Sequence, residues 1–377
     1  MIYLDNAATT WPKPRDTVQA MNDAVINSGA NPGRGSYDMA ARSSELVYKC
    51  RCSAAEFFGI KSPEYVIFTP SCTHSINYVL KGILKPGDHV IISNLEHNAV
   101  TRPVMQLARC GVQFSTAKVH ECSPDDTVAE FRRQMRRNTK MIFCTHASNA
   151  FGIKLPIYEI GELAARNGIL FGVDCAQSGG TAEIDLKKLK ADYICLPAHK
   201  GLYGTMGLGL LIINNDRQLA TVIEGGTGSL SGLNTQPDFL PDRMESGTLN
   251  VPSIAALDTG IKFIKDVSRE RIERHEFRLI NMAYDAIAEN KKCILYTAKP
   301  NAETHVPLLS FNLKDTPSEE IAEKLGQKGI AVRAGLHCAG DAHRAMGTQK
   351  SGTVRICPSA FTNTSEIKEF LSALEKI

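Results

Sequence analysis

Val173-Asp174-Cys175-Ala176-Gln177, followed by Ala198-His199-Lys200-Gly201-Leu202-Tyr203-Gly204, are the segments on which the reading of this 377-residue chain turns. One apolar run closes on an aspartate and the next closes on His-Lys. A carboxylate and an amine are thereby set at the ends of successive strands, which is what a pyridoxal phosphate (PLP) enzyme requires. Asp174 can keep a pyridinium nitrogen protonated, and the Lys200 amine can form a Schiff base with the aldehyde. A single lysine after a strand is usually just solvated. The two segments together are specific.

Outward from this pair, strand and helix signals alternate from about Asp16 to Asn250. Val66-Ile67-Phe68-Thr69, His89-Val90-Ile91-Ile92, Met141-Ile142-Phe143-Cys144, Leu170-Phe171-Gly172-Val173 and Tyr193-Ile194-Cys195-Leu196 are short apolar runs, as expected of strands covered on both faces. Helical patterns lie between them, such as Ile157 to Asn167, closed by Gly168. The alternation predicts an α/β fold: a largely parallel sheet with right-handed crossovers, and ligands at the carboxyl ends of the strands. Ser253 to Asn290 reads as one long helix with a mild interruption. Beyond it, Pro307–Phe311 and Ala331–Arg333 read as strands, and Ser318–Lys328 and Ser365–Lys376 as helices. The expected division is a large domain over 16–250 and a smaller C-terminal α/β domain over 251–377.

Composition narrows the function classes. The net charge of +3 is small for this length and gives no support for nucleic-acid binding or a polybasic membrane surface. The opening Met1-Ile2-Tyr3-Leu4-Asp5 lacks the regions of a signal peptide, and no apolar run is long enough to cross a bilayer, so the expected compartment is the cytoplasm. The 11 cysteines, an odd number without a secretory context, argue against a disulfide framework. Cys144 and Cys195 sit in apolar runs and read as small hydrophobes.

Four more segments fit the same site. Thr69-Pro70-Ser71-Cys72-Thr73-His74 leads a strand into a helix, whose N-terminus can bind phosphate or be simply capped. Glu96-His97 offers an imidazole that can stack on a cofactor ring, and Ser148-Asn149 offers an amide. Arg355, in Thr353-Val354-Arg355-Ile356, can pair bidentately with an amino-acid carboxylate or form a surface ion pair. Cys338, in Gly335-Leu336-His337-Cys338-Ala339-Gly340, reads as an accessible loop thiol whose neighbouring imidazole can raise its thiolate fraction. His337, Cys338 and His343 offer metal-ligating side chains, but no fourth ligand has suitable spacing.

With these residues in place, the chain resembles the class V aminotransferase family, and within it the cysteine desulfurases of group II and the related selenocysteine lyases. The resemblance spans nearly the whole chain. It runs through Tyr3-Leu4-Asp5-Asn6-Ala7-Ala8-Thr9-Thr10, Asn31-Pro32-Gly33-Arg34-Gly35, Glu96-His97, Ser148-Asn149, Asp174 with Gln177, His199-Lys200, Glu245-Ser246-Gly247-Thr248, His337-Cys338 and Thr353-Val354-Arg355. It implies PLP fold type I, as in aspartate aminotransferase, with a mixed, mostly parallel seven-stranded sheet. It also implies a homodimer, with residues 1–15 packing on the small domain.

Carried across by position, Lys200 matches the cofactor lysine and Asp174 the residue facing the pyridine nitrogen. Gln177 and Asn149 match those near the ring hydroxyl, and His97 the stacking imidazole with a catalytic role. Cys72, Thr73 and His199 match the phosphate cup, and Thr248 the threonine serving the partner subunit's cofactor. Arg355, with Asn149 and Ala7, matches the substrate-binding group, and Cys338 the sulfur acceptor. The sequence departs from the pattern at Pro197, where many relatives have a serine hydroxyl, at His74 in place of glutamate, and at Gly33-Arg34-Gly35 in place of His-Arg-Gly.

The expected activity is conversion of L-cysteine to L-alanine with a persulfide on Cys338, passed on to a sulfur-acceptor protein not identified by any motif. Selenocysteine lyase and cysteine sulfinate desulfinase use the same parts and remain alternatives. A PLP-fold regulatory or binding protein is the alternative of a different class.

Overall fold

The computed structural model describes residues 1–33, 35–215 and 219–377. Arg34 of the Gly33-Arg34-Gly35 segment therefore lies outside the described residues. The chain enters through a two-residue strand, β1 (Ile2–Tyr3), and then builds the main sheet from β2 (Val66–Thr69), β3 (His89–Ser93), β4 (Gln113–Ala117), β5 (Thr139–Thr145), β6 (Leu170–Asp174), β7 (Tyr193–Pro197) and β8 (Gly209–Ile213). The seven strands lie in the order β2-β8-β7-β6-β5-β3-β4, and only β8 runs against its neighbours. This is the mixed, mostly parallel sheet that the resemblance implied.

The physical reason is direct. Every residue of β2, β3, β6, β7 and β8 is buried, so apolar side chains are needed on both faces. The edge strand β4, Gln-Phe-Ser-Thr-Ala, is half exposed and polar, which is why its sequence carries no apolar run.

The register aligns the carboxyl ends of the central strands. Thr145 at the end of β5 pairs with Asp174 at the end of β6, and Asp174 pairs with Cys195 of β7. The segments that follow β3, β5, β6 and β7 therefore emerge side by side, carrying His97, Asn149, Gln177 and Lys200.

The expected long helix is two helices, Val251–Val267 and Arg269–Glu289. The break is at Ser268, whose φ of 76° leaves the helical region and whose side chain caps the second helix by accepting from Arg271 N–H. Ile254, Leu257, Ile261 and Ile264 of the first helix belong to the core of the main sheet. Phe277, Leu279, Ile280 and Ala283 of the second share a separate core with Ile2 and Leu4. We propose drawing the domain boundary at Ser268 rather than after residue 250. The second core is completed by a three-stranded antiparallel sheet with Leu309–Leu313 between Val354–Ile356 and Cys293–Leu295. The strand expected over Ala331–Arg333 is shorter and earlier, Ile330–Ala331, and pairs in parallel with β1.

Across the joint, Glu276 of the second helix is buried against Tyr203. Burial first, and then the nearby Glu273, raise its carboxyl to about 8. A group raised in the fold contributes fully below its unfolded value of about 4.5, and that contribution is lost as pH rises through its folded value. Glu276→Gln keeps the shape and removes the titration. The variant is expected to match the wild type near pH 4.5 and to exceed it by on the order of 5 kcal/mol above pH 8. Thermal melts across this range check it; a difference that stays constant with pH would contradict the assignment.

Candidate active site

The aligned strand ends and two segments from the small-domain side enclose a cavity of about 260 Å³. After β7 the chain folds back through a tight loop, closed by Ala198 N–H to Leu208 O at 3.0 Å and Gly204 N–H to Ala198 O at 2.9 Å. Lys200 projects from this loop into the cavity. Burial, and secondly the charge of Arg355, pull its amine below the usual lysine range. Asp174 lies across from it, 3% exposed, with Oδ1 accepting from Ala176 N–H at 2.9 Å. Burial holds its carboxyl above the ordinary value. A low-lying amine and a desolvated carboxyl facing one cavity mark a functional site rather than a core ion pair.

One end of the cavity is the start of the helix Cys72–Ile83, capped by Ser71, whose hydroxyl accepts from His74 N–H. The N–H groups of Cys72 and Thr73 precede the first intrahelical bond and, at the positive end of the helix dipole, are suited to an anion. The Cys72 thiol itself turns to Asp174 Oδ1, 3.6 Å away, so only its main-chain N–H is left for a phosphate. The His199 Nδ1 atom is buried beside the cavity with no partner among the described residues. Pro197 lines the wall without a hydroxyl.

His97 caps the next helix, Asn98–Arg109, and its Nδ1 accepts from Ala99 N–H at 3.0 Å. Burial lowers its pKa to about 4, so the ring is neutral and its proton sits on Nε2. Gln177 Nε2 donates to Ala7 O at 3.0 Å, tying the N-terminal segment to the strand-end loop.

Arg355 is 2% exposed, which excludes the surface ion pair. Its Nη1 donates to Asn149 O at 2.7 Å and its Nη2 to Asp5 Oδ1 at 2.9 Å, while Nε has no partner among the described residues. The guanidinium is therefore pre-oriented at the cavity and retains donor capacity for a carboxylate.

Cys338 is exposed at the cavity mouth. Its loop is clasped from the large domain. Asn149 Nδ2 donates to His337 O at 2.6 Å, and Asn98 N–H donates to Cys338 O at 2.7 Å. His337 and Cys338 have φ of 49° and 55°, both in the left-handed region. The reading of His337 as an activator of the thiol is corrected here: its ring turns inward to Thr353 O, 3.0 Å away, and burial drives its pKa to about 2. An uncharged, inward-facing imidazole supplies no positive charge to the thiol. His343 also points inward, to Thr348 Oγ1 at 2.8 Å, and no group among the described residues forms a metal-ligand cluster. Thr248 is exposed and lies outside this cavity, on a segment fastened by the bidentate pair of Glu245 with Arg51. Sequence reading missed Asp5 and Lys13 as site neighbours; their partners lie far along the chain, so no local signal marks them.

The profile of the Aminotransferase class-V family matches residues 2–370. A probable cysteine desulfurase from Methanothermobacter thermautotrophicus is 30% identical over the full chain and 94% of its own length. The solved apo structure of a cysteine desulfurase from Thermococcus onnurineus superposes with a TM-score of 0.91 at 29% identity, over 100% of this chain and 94% of that one. The cysteine desulfurase CsdA of Escherichia coli, at 24% identity over 99% of this chain and 94% of that one and TM-score 0.88, shares the fold. With a match of this extent, the chain belongs to the aminotransferase class-V family.

Proposed function

We propose that this protein is a PLP-dependent cysteine desulfurase, acting as a cytoplasmic homodimer on free L-cysteine and passing sulfur to an acceptor protein. The observation that carries the reading is Cys338, clasped at the mouth of the cavity that holds Lys200, Asp174 and Arg355. A plain aminotransferase has no use for a thiol there. The relatives named above as cysteine desulfurases support it, and no helix among the described residues is long and apolar enough to cross a membrane.

The residues fit the cofactor. Lys200 would hold it covalently, and Asp174 would keep the ring nitrogen protonated. His97 would lie against the ring, with Gln177 and Asn149 near its hydroxyl. The N–H groups of Cys72 and Thr73, with the orphaned His199, would receive its phosphate, and Thr248 would serve the phosphate in the partner subunit. When bound, PLP supplies an electron sink for the bonds to the substrate Cα.

The remaining chemistry belongs to the chain. Arg355, held by Asp5 and Asn149, takes the substrate carboxylate, with Ala7 at the edge of the subsite. Lys200, whose amine burial keeps weakly basic, takes the proton from Cα. The Cys338 thiolate attacks the substrate sulfur, forming a persulfide as the Cβ–S bond breaks, and alanine leaves after reprotonation.

The test is a product assay on the PLP-loaded protein, with cysteine, selenocysteine and cysteine sulfinate side by side. With a dithiol reductant present to reduce the Cys338 persulfide back to thiol and release its outer sulfur, alanine and sulfide in equal amounts from cysteine are expected. A higher turnover of selenocysteine or sulfinate would move the assignment to the corresponding alternative, and no alanine from any substrate would sink it.

A further inference from the structure

The N-terminal segment makes an unusual set of contacts with the peptide groups around Lys200. The carbonyl of His199, which is the peptide immediately before Lys200, is approached by four donors. These are Lys13 Nζ at 2.7 Å, Thr9 Oγ1 at 3.1 Å, Thr10 N–H at 3.1 Å and Thr10 Oγ1 at 3.2 Å. A carbonyl oxygen has two lone pairs, so these donors compete. The shortest contact comes from the ammonium, and charge-assisted hydrogen bonds are the strong ones.

A consistent assignment follows. Lys13 Nζ donates to His199 O and also to Thr10 Oγ1, 2.5 Å away. The Thr10 hydroxyl, receiving that bond, is free to donate to Lys200 O at 3.1 Å. Both peptide planes flanking the Lys200 Cα are then pinned, one directly by Lys13 and the other through Thr10.

We propose that Lys13 is a positioning residue for Lys200: its ammonium fixes the main chain on both sides of Lys200 and so sets where the Lys200 amine stands in the cavity. This rests on the assignment of Lys200 as the cofactor lysine. A reacting group held from a rigid base loses less freedom when it reacts, and a misplacement of the order of 1 Å lowers rates steeply. The environment of Lys13 agrees. Lys13 is half-buried; burial lowers its pKa to about 7, and the bonds to His199 O and Thr10 Oγ1 hold the amine toward the loop in either protonation state. An ordinary lysine beside Pro14, at the start of the helix Arg15–Asn27, would extend into water.

The experiment follows capture of PLP by Lys200 rather than turnover. Holoprotein is stripped of cofactor, PLP is added back, and the growth of the visible absorbance of the Lys200 adduct gives a rate. Lys13→Met is expected to slow this capture about tenfold, and Lys13→Arg to recover most of it, with melting temperatures of the reloaded proteins within a few degrees of the wild type. Thr10→Val, which removes the relay hydroxyl at constant volume, is expected to slow capture by a smaller factor and carries the test if Lys13→Met does not fold. Capture at the wild-type rate in Lys13→Met, or in Thr10→Val where that variant carries the test, would overturn the proposal. So would slowing that tracks only a lowered melting temperature, since that marks a merely structural lysine. Wild-type protein that develops no visible absorbance would overturn the cofactor assignment first, and this proposal with it.

Discussion

Replacing Lys200 by alanine is expected to remove covalent PLP and to lower alanine formation by at least about 10⁴-fold. The size of the effect follows from two roles falling on one amine. It is the only lysine among the described residues lining the cavity, so no second anchor stands among them in the variant. On the reading proposed above the same amine is the proton-transfer base, and burial lowers it below the usual lysine range. Its removal also withdraws the positive charge that partly offsets the buried Asp174, whose carboxyl then rises further and holds a ring nitrogen less well. Borohydride treatment followed by mass measurement separates the roles. Wild-type protein should gain the mass of the reduced cofactor at Lys200, and the variant should not. Alanine formed by the variant at a wild-type rate would remove Lys200 from the mechanism.

Cys338→Ala is the second large effect, and it discriminates between substrates. Lys200, Asp174 and Arg355 stay in place, so cysteine should still bind and lose its Cα proton. Without the thiolate the substrate sulfur has no acceptor, and alanine from cysteine should fall by at least about 100-fold. Sulfinate leaves without a nucleophile and should still be processed if wild type accepts it. Because Cys338 is exposed, the substitution should change stability by no more than about 0.5 kcal/mol, so lost activity cannot be assigned to unfolding. Alanine formation from cysteine and sulfinate by both proteins decides it; cysteine turnover that survives would return Cys338 to the structural thiols.

The residues that this cavity brings together are legible in the sequence for a reason that lies in the sheet. Asp174 and Lys200 follow apolar strands buried on both faces, which sequence marks strongly, and parallel neighbours must end on the same edge. What escaped reading was whatever depends on partners distant in sequence or on backbone angles. The strand β4 is too polar to stand out, because it is an edge. The break at Ser268 reads in sequence as a mild interruption of one helix, since a serine does not announce a positive φ. Adjacency in sequence suggests a His337 ring beside the thiol, yet consecutive left-handed angles send the two side chains to opposite sides. The Asp5–Arg355 and Lys13–His199 contacts span most of the chain or half of it and have no local signature.

The backbone at His337 and Cys338 has one more consequence. Two consecutive non-glycine residues in the left-handed region hold on the order of 1–3 kcal/mol each. That energy is kept in place by the bonds from Asn149 and Asn98 to their carbonyls. The loop is thus a latched spring. On the reading proposed above, sulfur would be loaded on Cys338 with the latch closed, where the thiol stands at the cavity mouth. If an acceptor drew the loop outward and the two hydrogen bonds were exchanged for water, relaxation of the backbone would offset part of their loss. Opening would then cost less than for a loop of the same length in an unstrained conformation, and the two asparagines would set how firmly the loop is held.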